Sequence, residues 1–285
     1  KYLKKLKKII MDKIIIHLIC PDQKGIIAQI TSIILQTNNN ILSIEQHVDN
    51  EQNKFYIRLL IDLKDSKVEI KDLQNQLENL NETLDGKIFL YNPNKKNNVA
   101  IFGTKESEPI YDLLIKNKSD ALNCNFPLIL SNHDSLKVIS KQFDILYFKT
   151  NDENEILDIC KKYNIELIVL ARYMQIISDK IINNFKNKII NIHHGFLPAF
   201  KGANPYKQAF KKGVKIIGAT AHYVTKELDE GPIICQDVIH VDHKKSIKDM
   251  MKLGRDIEKK VLYNAVKSHL DYKIIIENNK TIIFN

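Results

Sequence analysis

The stretch of sequence that decides the fold runs from Asn191 to Asp237 and reads NIHHGFLPAFKGANPYKQAFKKGVKIIGATAHYVTKELDEGPIICQD. It holds three of the nine histidines and three of the seven prolines of the 285-residue chain. Titratable and turn-forming residues are therefore concentrated here, as they are in an active site built on loops. The rest of the chain is rich in Ile, Leu, Lys and Asn, and we interpret it as the scaffold that presents this stretch.

Three polar side chains of this stretch are predicted to converge. Residues 189–193 form a short apolar strand, and because side chains alternate along a strand, Asn191 and His193 point to the same face at its carboxyl end. A second strand follows at residues 216–224, and the loop after it carries Asp229. This order can bring the carboxylate beside the amide and the imidazole.

An amide, an imidazole and a carboxylate are the parts that acyl chemistry needs. A histidine transfers protons, an aspartate orients it or holds a water, and an asparagine amide donates to an oxyanion. No Ser or Cys sits in a nucleophile elbow, so the sequence favours direct attack by water or an amine over an acyl-enzyme. His193 and His194 point to opposite faces of their strand, and no HExxH or second Cys/His pair supports a metal, so we predict none.

The residues before and within this stretch alternate between short apolar runs and helical patterns. Such alternation predicts βαβ units and a doubly wound, mainly parallel sheet, with ligands bound at the carboxyl ends of its strands. The predicted strands are residues 99–102, 126–131, 145–148, 167–171 and 189–193, and the predicted helices are residues 108–118, 135–142, 154–163 and 178–185. After them we expect a helix to about Lys212, strands at residues 216–224 and 232–241, one long helix and a final strand at residues 281–284.

The turn after the first of these strands, GTKESEP at residues 103–109, tests for phosphate binding. It has one glycine and neither a GxGxxG nor a Walker pattern. Its carboxylates, Glu106 and Glu108, suit a helix N-terminus but repel a phosphate there. The sequence thus disfavours nucleotides and phosphorylated substrates at this position.

The N-terminal part follows a different order, β-α-β-β-α-β, which is the ferredoxin-like arrangement. Its predicted elements are strands at residues 12–20, 41–48, 55–63 and 86–90 and helices at residues 26–34 and 68–80. The sequence CPDQKGII at residues 20–27, followed by Asn40-Ile41 and Gln46-His47, resembles an ACT domain.

This resemblance implies an amino-acid effector beside the first loop, with glycine or methionine as candidates. Its expected contacts are Asp22, Lys24, Gly25, Asn40 and Ile41. Because ACT domains pair, the resemblance also implies a homo-oligomer, a dimer or a tetramer. Two alternatives stay open: the module serves only for oligomerisation, and Asp22 is a helix N-cap instead of a ligand group.

Three motifs of the opening stretch resemble the formyltransferase domain of enzymes that use 10-formyltetrahydrofolate. They are NIHHGFLPAFKG at residues 191–202, GATAHYV at 218–224 and LDEGPII at 228–234, supported by LARYMQ at 170–175 and GRDIE at 254–258. With the ACT-like part, they make the chain similar to the 10-formyltetrahydrofolate deformylases of that group. We expect a basic extension at residues 1–10, an ACT-like regulatory domain at 11–91, a linker at 92–98 and a catalytic domain at 99–285.

The resemblance implies hydrolysis of 10-formyltetrahydrofolate to formate and tetrahydrofolate without a cofactor, which supplies formate and balances one-carbon and purine metabolism. It makes Asn191, His193 and Asp229 the catalytic residues. The folate-binding residues that it implies are Met174, Gln175, Ile176, Ile177, Thr220, His222, Val224, Leu228 and Gly231. Gly195 departs from the pattern, since these enzymes usually have Ser there. A lost neutral hydrogen bond costs about 0.5–1.5 kcal/mol, and we expect the change to be tolerated.

Three other functions remain open from the sequence. Glycinamide ribonucleotide formyltransferases share the catalytic residues but need a glycine-rich phosphate loop, against which Glu106 and Glu108 argue. Methionyl-tRNA formyltransferases carry a C-terminal oligonucleotide-binding barrel, which the predicted final helix and strand do not match. A catalytically silent, amino-acid-binding regulator on the same scaffold is the third, and Gly195 leaves it open.

Composition limits the partners and the compartment. The formal net charge is +9, but five lysines lie in the first eight residues, KYLKKLKK, and no basic stripe carries interleaved aromatics, so we expect no nucleic-acid partner. No apolar run approaches the roughly 18 residues that span a membrane, and the N-terminus lacks the pattern of a signal sequence. Four cysteines without CxxC spacing indicate free thiols in a reducing compartment. We therefore expect a cytoplasmic protein that binds no membrane.

Overall fold

The computed structural model describes residues 12–200, 202 and 204–285. The predicted basic extension, residues 1–10, lies outside the described residues. Two compact units divide the chain: one reaches to Lys95 and includes Phe284–Asn285, and the other is Lys96–Ile283. Each unit has its own hydrophobic core and is described by itself.

A four-stranded antiparallel sheet and two helices form the N-terminal unit. Its elements are β1 (Lys13–Pro21), α1 (Ile26–Gln36), β2 (Asn40–Asp49), β3 (Lys54–Asp62), α2 (Ile70–Thr83) and β4 (Lys87–Tyr91), and the strand order is β2-β3-β1-β4. Ile26, Ile30 and Ile34 recur on one face of α1 and are buried in the core of this unit. The predicted β-α-β-β-α-β order is confirmed.

Helix α2 begins two residues later than the apolar pattern predicts, at Ile70. Before it, the Ser66 hydroxyl donates to the Val68 carbonyl at 3.0 Å, which holds that segment in a turn. Ser side chains compete for backbone groups in this way and displace helix ends. The apolar spacing therefore extends beyond the helix itself.

A seven-stranded sheet with helices on both faces dominates the second unit. Its elements are β5 (Asn97–Gly103), α3 (Glu108–Lys118), β6 (Cys124–Ser131), α4 (Lys137–Phe143), β7 (Leu146–Lys149), α5 (Glu153–Lys162), β8 (Leu167–Ala171), α6 (Asp179–Asn184), β9 (Ile189–His193), α7 (Pro205–Lys212), β10 (Ile216–Tyr223), β11 (Ile233–His240), α8 (Ile247–Leu270), β12 (Ile274–Glu277) and β13 (Lys280–Ile283). The strand order is β11-β10-β9-β8-β5-β6-β7, parallel from β7 to β9 and antiparallel on both sides of β10. The predicted α/β class and mainly parallel sheet are confirmed.

The central strands are apolar on both faces because helices cover both faces. Every residue of β8 is buried. Leu167 and Val169 join the cluster that contains residues of α3 and α8, whereas Ile168 and Leu170 join the cluster with residues of α5 and α6. An unbroken apolar run is the expected pattern for such a strand, and polar residues are left for the strand ends.

The C-terminal end of the second unit has two strands where the sequence predicted one. β12 and β13 form an antiparallel hairpin, and Asn278 takes φ 53° in its turn. A three-residue apolar run soon after a long helix cannot be separated from that helix by its period alone, which is why the sequence predicts no strand at β12. None of the helices in the described part of the chain is long and apolar enough to cross a bilayer.

Candidate active site

Asn191, His193 and Asp229, the three residues predicted to converge, line one cavity of the second unit. The His193 Nδ1 atom lies 3.3 Å from the Asp229 Oδ2 atom, and both side chains are buried. Asn191 is two residues before His193 on β9 and points to the same face. The predicted amide, imidazole and carboxylate are therefore brought to one place.

The antiparallel direction of β10 builds the rest of this face. Thr220 pairs with His193 and His222 pairs with Asn191 across the two strands, so all four side chains point the same way. The chain leaves β10 beside the amino end of β9. The loop that carries Asp229 must therefore fold back across the sheet to reach His193.

Two backbone features let that loop return. A Cβ on Gly231 would lie 1.7 Å from the Tyr223 carbonyl oxygen, so only glycine permits this close approach. The Tyr223 N–H donates to the Pro232 carbonyl at 2.9 Å and closes the loop. Asp229 itself takes φ 56°, a left-handed conformation that Asp tolerates better than most residues.

The surroundings of the Asp229 carboxylate hold it in its charged form. Burial alone raises its pKa, but the hydrogen bond and charge of His193 and the Gly202 N–H together lower the pKa below its ordinary value. Oδ2 accepts from the Gly202 N–H at 3.2 Å and also faces His193. Oδ1 is 3.8 Å from His222 Nε2, beyond hydrogen-bond distance. Oδ1 is thus the oxygen with capacity to accept from a bound water.

His222 orients the Asn191 amide. Its Nδ1 lies 2.9 Å from the Tyr223 carbonyl and its Nε2 lies 3.2 Å from Asn191 Nδ2. Burial lowers the pKa of His222, which keeps the ring neutral. A neutral ring with its proton on Nδ1 donates to the carbonyl and accepts one N–H of the amide. The second N–H of Asn191 remains for a substrate.

His193 meets acceptors at both ring nitrogens. Nδ1 faces the Asp229 carboxylate, and Nε2 is 3.2 Å from the Phe200 carbonyl oxygen. The imidazolium has an N–H on each nitrogen and satisfies both partners, whereas a neutral ring leaves one partner without a donor. An N–H on either ring nitrogen therefore has an acceptor, and the ring is placed to transfer a proton at the wall of the cavity.

The cavity that these residues line has a volume of about 240 Å³. Three apolar side chains of its lining are unusually exposed: Met174 by 61%, Ile176 by 85% and Leu228 by 65%. Large exposed apolar side chains around a concave polar site are typical of ligand binding. Their surface suits a ligand that has a sizeable apolar part.

Comparison with known proteins assigns both units to families. The Formyl transferase family matches residues 96–266, and the ACT domain family matches residues 12–91. A formyltetrahydrofolate deformylase from Synechocystis sp. is 41% identical over 273 residues, which cover 93% of this chain and 96% of that protein. The crystal structure of a formyltetrahydrofolate deformylase from Pseudomonas syringae pv. tomato superposes with a TM-score of 0.92 at 34% identity, covering 96% of this chain and 94% of that one. The chain belongs to the formyltetrahydrofolate deformylase family.

Transferases of the same fold match less of the chain than the deformylases do. A phosphoribosylglycinamide formyltransferase from Anaplasma phagocytophilum has a TM-score of 0.63 at 28% identity, and it covers 67% of this chain and 96% of its own. The match to the deformylases extends over the N-terminal unit as well. The two resemblances read from the sequence, to ACT domains and to deformylases, are confirmed.

Seven of the nine residues that the resemblance implied for folate binding line the cavity, namely Met174, Gln175, Ile176, Ile177, His222, Val224 and Leu228. Thr220 and Gly231 are not among its lining residues. The Thr220 hydroxyl is fully buried, donates to the Gly195 carbonyl at 2.9 Å and accepts from the Leu197 N–H at 3.1 Å. It therefore holds a loop in place, whereas Gly231 acts through its close approach to the sheet.

No pattern in the sequence assigns Arg172 a role, yet it lines the cavity directly after β8. Its Nη1 is 3.2 Å from Oε2 of Glu258, a buried residue of α8, and the Tyr206 hydroxyl donates to Oε1 of the same carboxylate at 2.7 Å. Burial raises the pKa of Glu258, and Arg172 opposes that effect. Gly254 makes room for this cluster, since a Cβ there would be 1.9 Å from the Tyr206 hydroxyl oxygen. The sequence signal that could have identified this cluster is Glu258 on the apolar face of a helix, because a buried carboxylate requires a charged or hydrogen-bonding partner.

The residues predicted to bind an effector lie in the N-terminal unit, at the start of α1 and of β2. Asp22, Lys24, Gly25 and Asn40 are exposed, and Ile41 is half-buried. The N-cap residue of α1 is Gly25, at φ 89° and with no side-chain cap. Asp22 is therefore not the N-cap, which corrects that alternative. A shallow groove of this unit lies between α1 and α2, and the five predicted residues do not line it.

The cysteines are free thiols, and three of the four are buried. Burial raises the pKa of Cys20 to about 11 and the pKa of both Cys124 and Cys160 to about 12. These groups are therefore uncharged and weakly nucleophilic near neutral pH. Across the described residues, no group of three or more His, Cys, Asp and Glu side chains is arranged to hold a metal ion.

Proposed function

We propose that the chain hydrolyses 10-formyltetrahydrofolate to formate and tetrahydrofolate. The observation that carries this proposal is the convergence of Asn191, His193 and Asp229 in one cavity with exposed apolar lining. An amide donor, an imidazole that transfers a proton and a carboxylate are the groups that the attack of water on a formyl carbon requires. Relatives named formyltetrahydrofolate deformylase, which match 93% of the chain, support the choice of substrate.

The cavity accommodates the parts of this substrate in a defined order. The flat ring system lies against the apolar side chains of Met174, Ile176 and Leu228. The formyl group on N10 then lies deeper, between Asn191 and His193. Packing the ring system against side chains that are otherwise exposed to water supplies binding energy away from the reacting carbon.

The first chemical step is attack by water on the formyl carbon. A water that donates to Asp229 Oδ1 gives its proton to this carboxylate as the new C–O bond forms. The formyl C=O electron pair moves onto its oxygen, which accepts the second N–H of Asn191. The Nε2–H of His193 stabilises the same oxyanion.

The second step breaks the bond between the formyl carbon and N10. The oxyanion electrons return to carbon, and N10 leaves with the proton of His193. Formic acid loses its proton to solvent, and tetrahydrofolate is released. Asp229 Oδ1 releases its proton to solvent and His193 takes one proton from solvent, which restores the starting state.

A phosphorylated amine is disfavoured as the acceptor in place of water. Glu108 is at the start of α3, where a phosphate group would otherwise find helix N–H donors. This carboxylate pairs with Arg255 at 3.1 Å, which engages the guanidinium group that a phosphate would need. Water requires no phosphate-binding site, so these residues favour water as the acceptor of the formyl group.

The test is to incubate the purified chain with 10-formyltetrahydrofolate alone and to measure formate and tetrahydrofolate. Stoichiometric release of both products without an amine acceptor supports hydrolysis. Turnover that occurs only after glycinamide ribonucleotide is added identifies a transferase. No turnover under either condition, with folate still bound, identifies a catalytically silent protein.

The proposal extends to the biological role and to the N-terminal unit. Formate release supplies formate and balances one-carbon and purine metabolism in the cytoplasm, and the ACT domain senses an amino acid such as glycine or methionine. ACT pairing makes the protein a homo-oligomer, a dimer or a tetramer. Light scattering measures the oligomer, and formate release titrated with each amino acid tests the sensor. A monomer, or rates unchanged by both amino acids, contradicts the corresponding part.

The proposed steps use only side chains and water, so no cofactor is needed. Dialysis of the enzyme against a chelator checks this directly. The rate of formate release is expected to stay unchanged, and a loss that is restored by a metal ion contradicts the proposal.

A further inference from the structure

Gly195 lies close to the Nε2 and Cδ2 atoms of the His193 ring. A Cβ built on this glycine would be 2.8 Å from His193 Nε2 and 3.1 Å from His193 Cδ2. Carbon atoms in ordinary contact with such a ring stay about 3.5 Å or more away. Gly195 is itself buried, and its φ lies outside the left-handed region. The need for glycine here therefore comes from the space that the imidazole occupies and not from the backbone conformation.

The ring has this position because two groups hold it from opposite sides. Asp229 faces Nδ1 at 3.3 Å, and the Phe200 carbonyl faces Nε2 at 3.2 Å. Phe200 presents that carbonyl from φ 59°, a conformation that is uncommon for a bulky residue. Close by in the sequence, the Gly202 N–H donates to Asp229 at 3.2 Å. Backbone groups of one loop thus bind both members of the His193–Asp229 pair.

Hydrogen bonds to Gly195 and Leu197 fix the start of this loop beside the ring. The Thr220 hydroxyl donates to the Gly195 carbonyl at 2.9 Å and accepts from the Leu197 N–H at 3.1 Å. The Gln236 amide donates to the Leu197 carbonyl and to the Thr220 oxygen, each at 2.9 Å. A side chain added at residue 195 must therefore be accommodated by movement of His193.

We propose that Gly195 is a positioning residue whose missing side chain lets the His193 imidazole lie between the Asp229 carboxylate and the Phe200 carbonyl. In the resting site the Phe200 carbonyl accepts the Nε2–H that the reaction delivers to N10, so N10 replaces the carbonyl when substrate binds. This assignment rests on the proposed function for its chemical role. It goes beyond that function because it assigns a role to a buried residue that is not one of the three catalytic groups.

The first test is Gly195→Ala. The ring must move by about 0.6 Å to restore an ordinary contact of 3.4 Å from the present 2.8 Å, and it then loses the bond to Phe200. Since a misplacement of about 1 Å costs roughly 100-fold in rate, kcat is expected to fall about 10- to 100-fold. KM is expected to stay within about threefold, because the apolar side chains that bind the ring system are untouched.

Two further variants separate positioning from general damage. Gly195→Ser adds the same Cβ but also a hydroxyl that can accept from Nε2–H in place of the Phe200 carbonyl, so it is expected to recover at least threefold of the lost kcat. Ala199→Gly changes an exposed residue of the same loop and is expected to leave kcat within twofold. A serine variant no faster than the alanine variant contradicts the role of the Nε2 hydrogen bond.

The second readout needs no substrate. Nitrogen-15 NMR of the histidine rings, with the His193 signals assigned by their loss in His193→Gln, follows both ring N–H groups. In the parent protein the Nε2–H is expected to exchange slowly with water because it donates to the Phe200 carbonyl, and Gly195→Ala is expected to remove that protection. A protected Nε2–H in the alanine variant, or a kcat within twofold of the parent, overturns the assignment. If the parent releases no formate, the proposed function fails, while the NMR result still decides the position of the ring.

Discussion

Replacement of Asp229 by Asn tests the core of the proposed chemistry. Both donors near Oδ2, the Gly202 N–H at 3.2 Å and His193 Nδ1 at 3.3 Å, require an oxygen at that position. The amide oxygen of Asn can occupy it, which places the amide nitrogen where Oδ1 was. The variant therefore keeps the loop and the histidine in place and loses only the charge and the acceptor for the attacking water.

Asp229→Asn is expected to remove the contribution of one general base to the rate. Positioned acid–base groups contribute roughly 10²- to 10⁴-fold in rate, so kcat for formate release is expected to fall by that factor. Binding of tetrahydrofolate, followed by fluorescence, is expected to stay within about threefold, because Met174 and Leu228 are unchanged. Asp229→Glu serves as the control that retains the charge but displaces it. A kcat for the Asn variant within tenfold of the parent refutes the assignment of Asp229 as the base.

The same variant has a diagnostic pH dependence. The pKa of Asp229 is lowered, so its charged form is favoured in the folded protein. The contribution of charged Asp229 to kcat is fully present above the ordinary carboxyl pKa of about 4. It is lost only as the pH falls through the lowered pKa. The acid limb of kcat that Asp229 causes is therefore expected below pH of about 4, and it is expected to be absent in Asp229→Asn. An identical acid limb in both proteins contradicts this reasoning.

Three further substitutions have expected outcomes. Met174→Ala removes exposed apolar surface from the cavity lining, so KM is expected to rise about fivefold with kcat unchanged, measured by initial rates of formate release. Glu258→Gln leaves Arg172 charged beside a buried neutral amide, and urea unfolding is expected to show a loss of about 3–5 kcal/mol; a loss below about 1 kcal/mol contradicts a buried pair. His222→Phe removes the acceptor of one Asn191 N–H, so kcat is expected to fall about tenfold. Because the pKa of His222 is lowered, His222 is expected to stay neutral and to keep accepting the Asn191 N–H as the pH falls through the usual histidine pKa of about 6.5. The kcat of the parent is therefore expected to show no loss from His222 in that range.

Local patterns were enough to predict most elements of the second unit. The predicted bounds of α3, β8 and β9 agree with the structure, because each is set by a sharp change between apolar and polar residues. Asn191 and His193 could be placed on one face for the same reason, since alternation along a strand is local geometry. The amide, imidazole and carboxylate chemistry of the site follows from residue types alone.

The direction of β10 could not be predicted in the same way. A strand of eight residues has the same alternation whether it runs parallel or antiparallel to its neighbour, so its sequence does not show where the following loop emerges. The return of Asp229 to His193 depends on a close approach at Gly231 and on a left-handed backbone at Asp229. Both features depend on the tertiary structure, and only the glycine can be recognised from the sequence.

Thr220 and Asn191 show why residue type and position alone do not separate catalytic groups from supporting ones. Both are polar, both point to the same face of the sheet, and they lie on neighbouring strands. The Thr220 hydroxyl donates once and accepts twice within the protein, from Leu197 and from Gln236, which uses its whole capacity. Asn191 gives one N–H to His222 and keeps a second N–H at the wall of the cavity. Hydrogen-bond capacity that the protein itself does not use is therefore what marks Asn191 for chemistry, and its complete use is what makes Thr220 a support for the loop above Gly195.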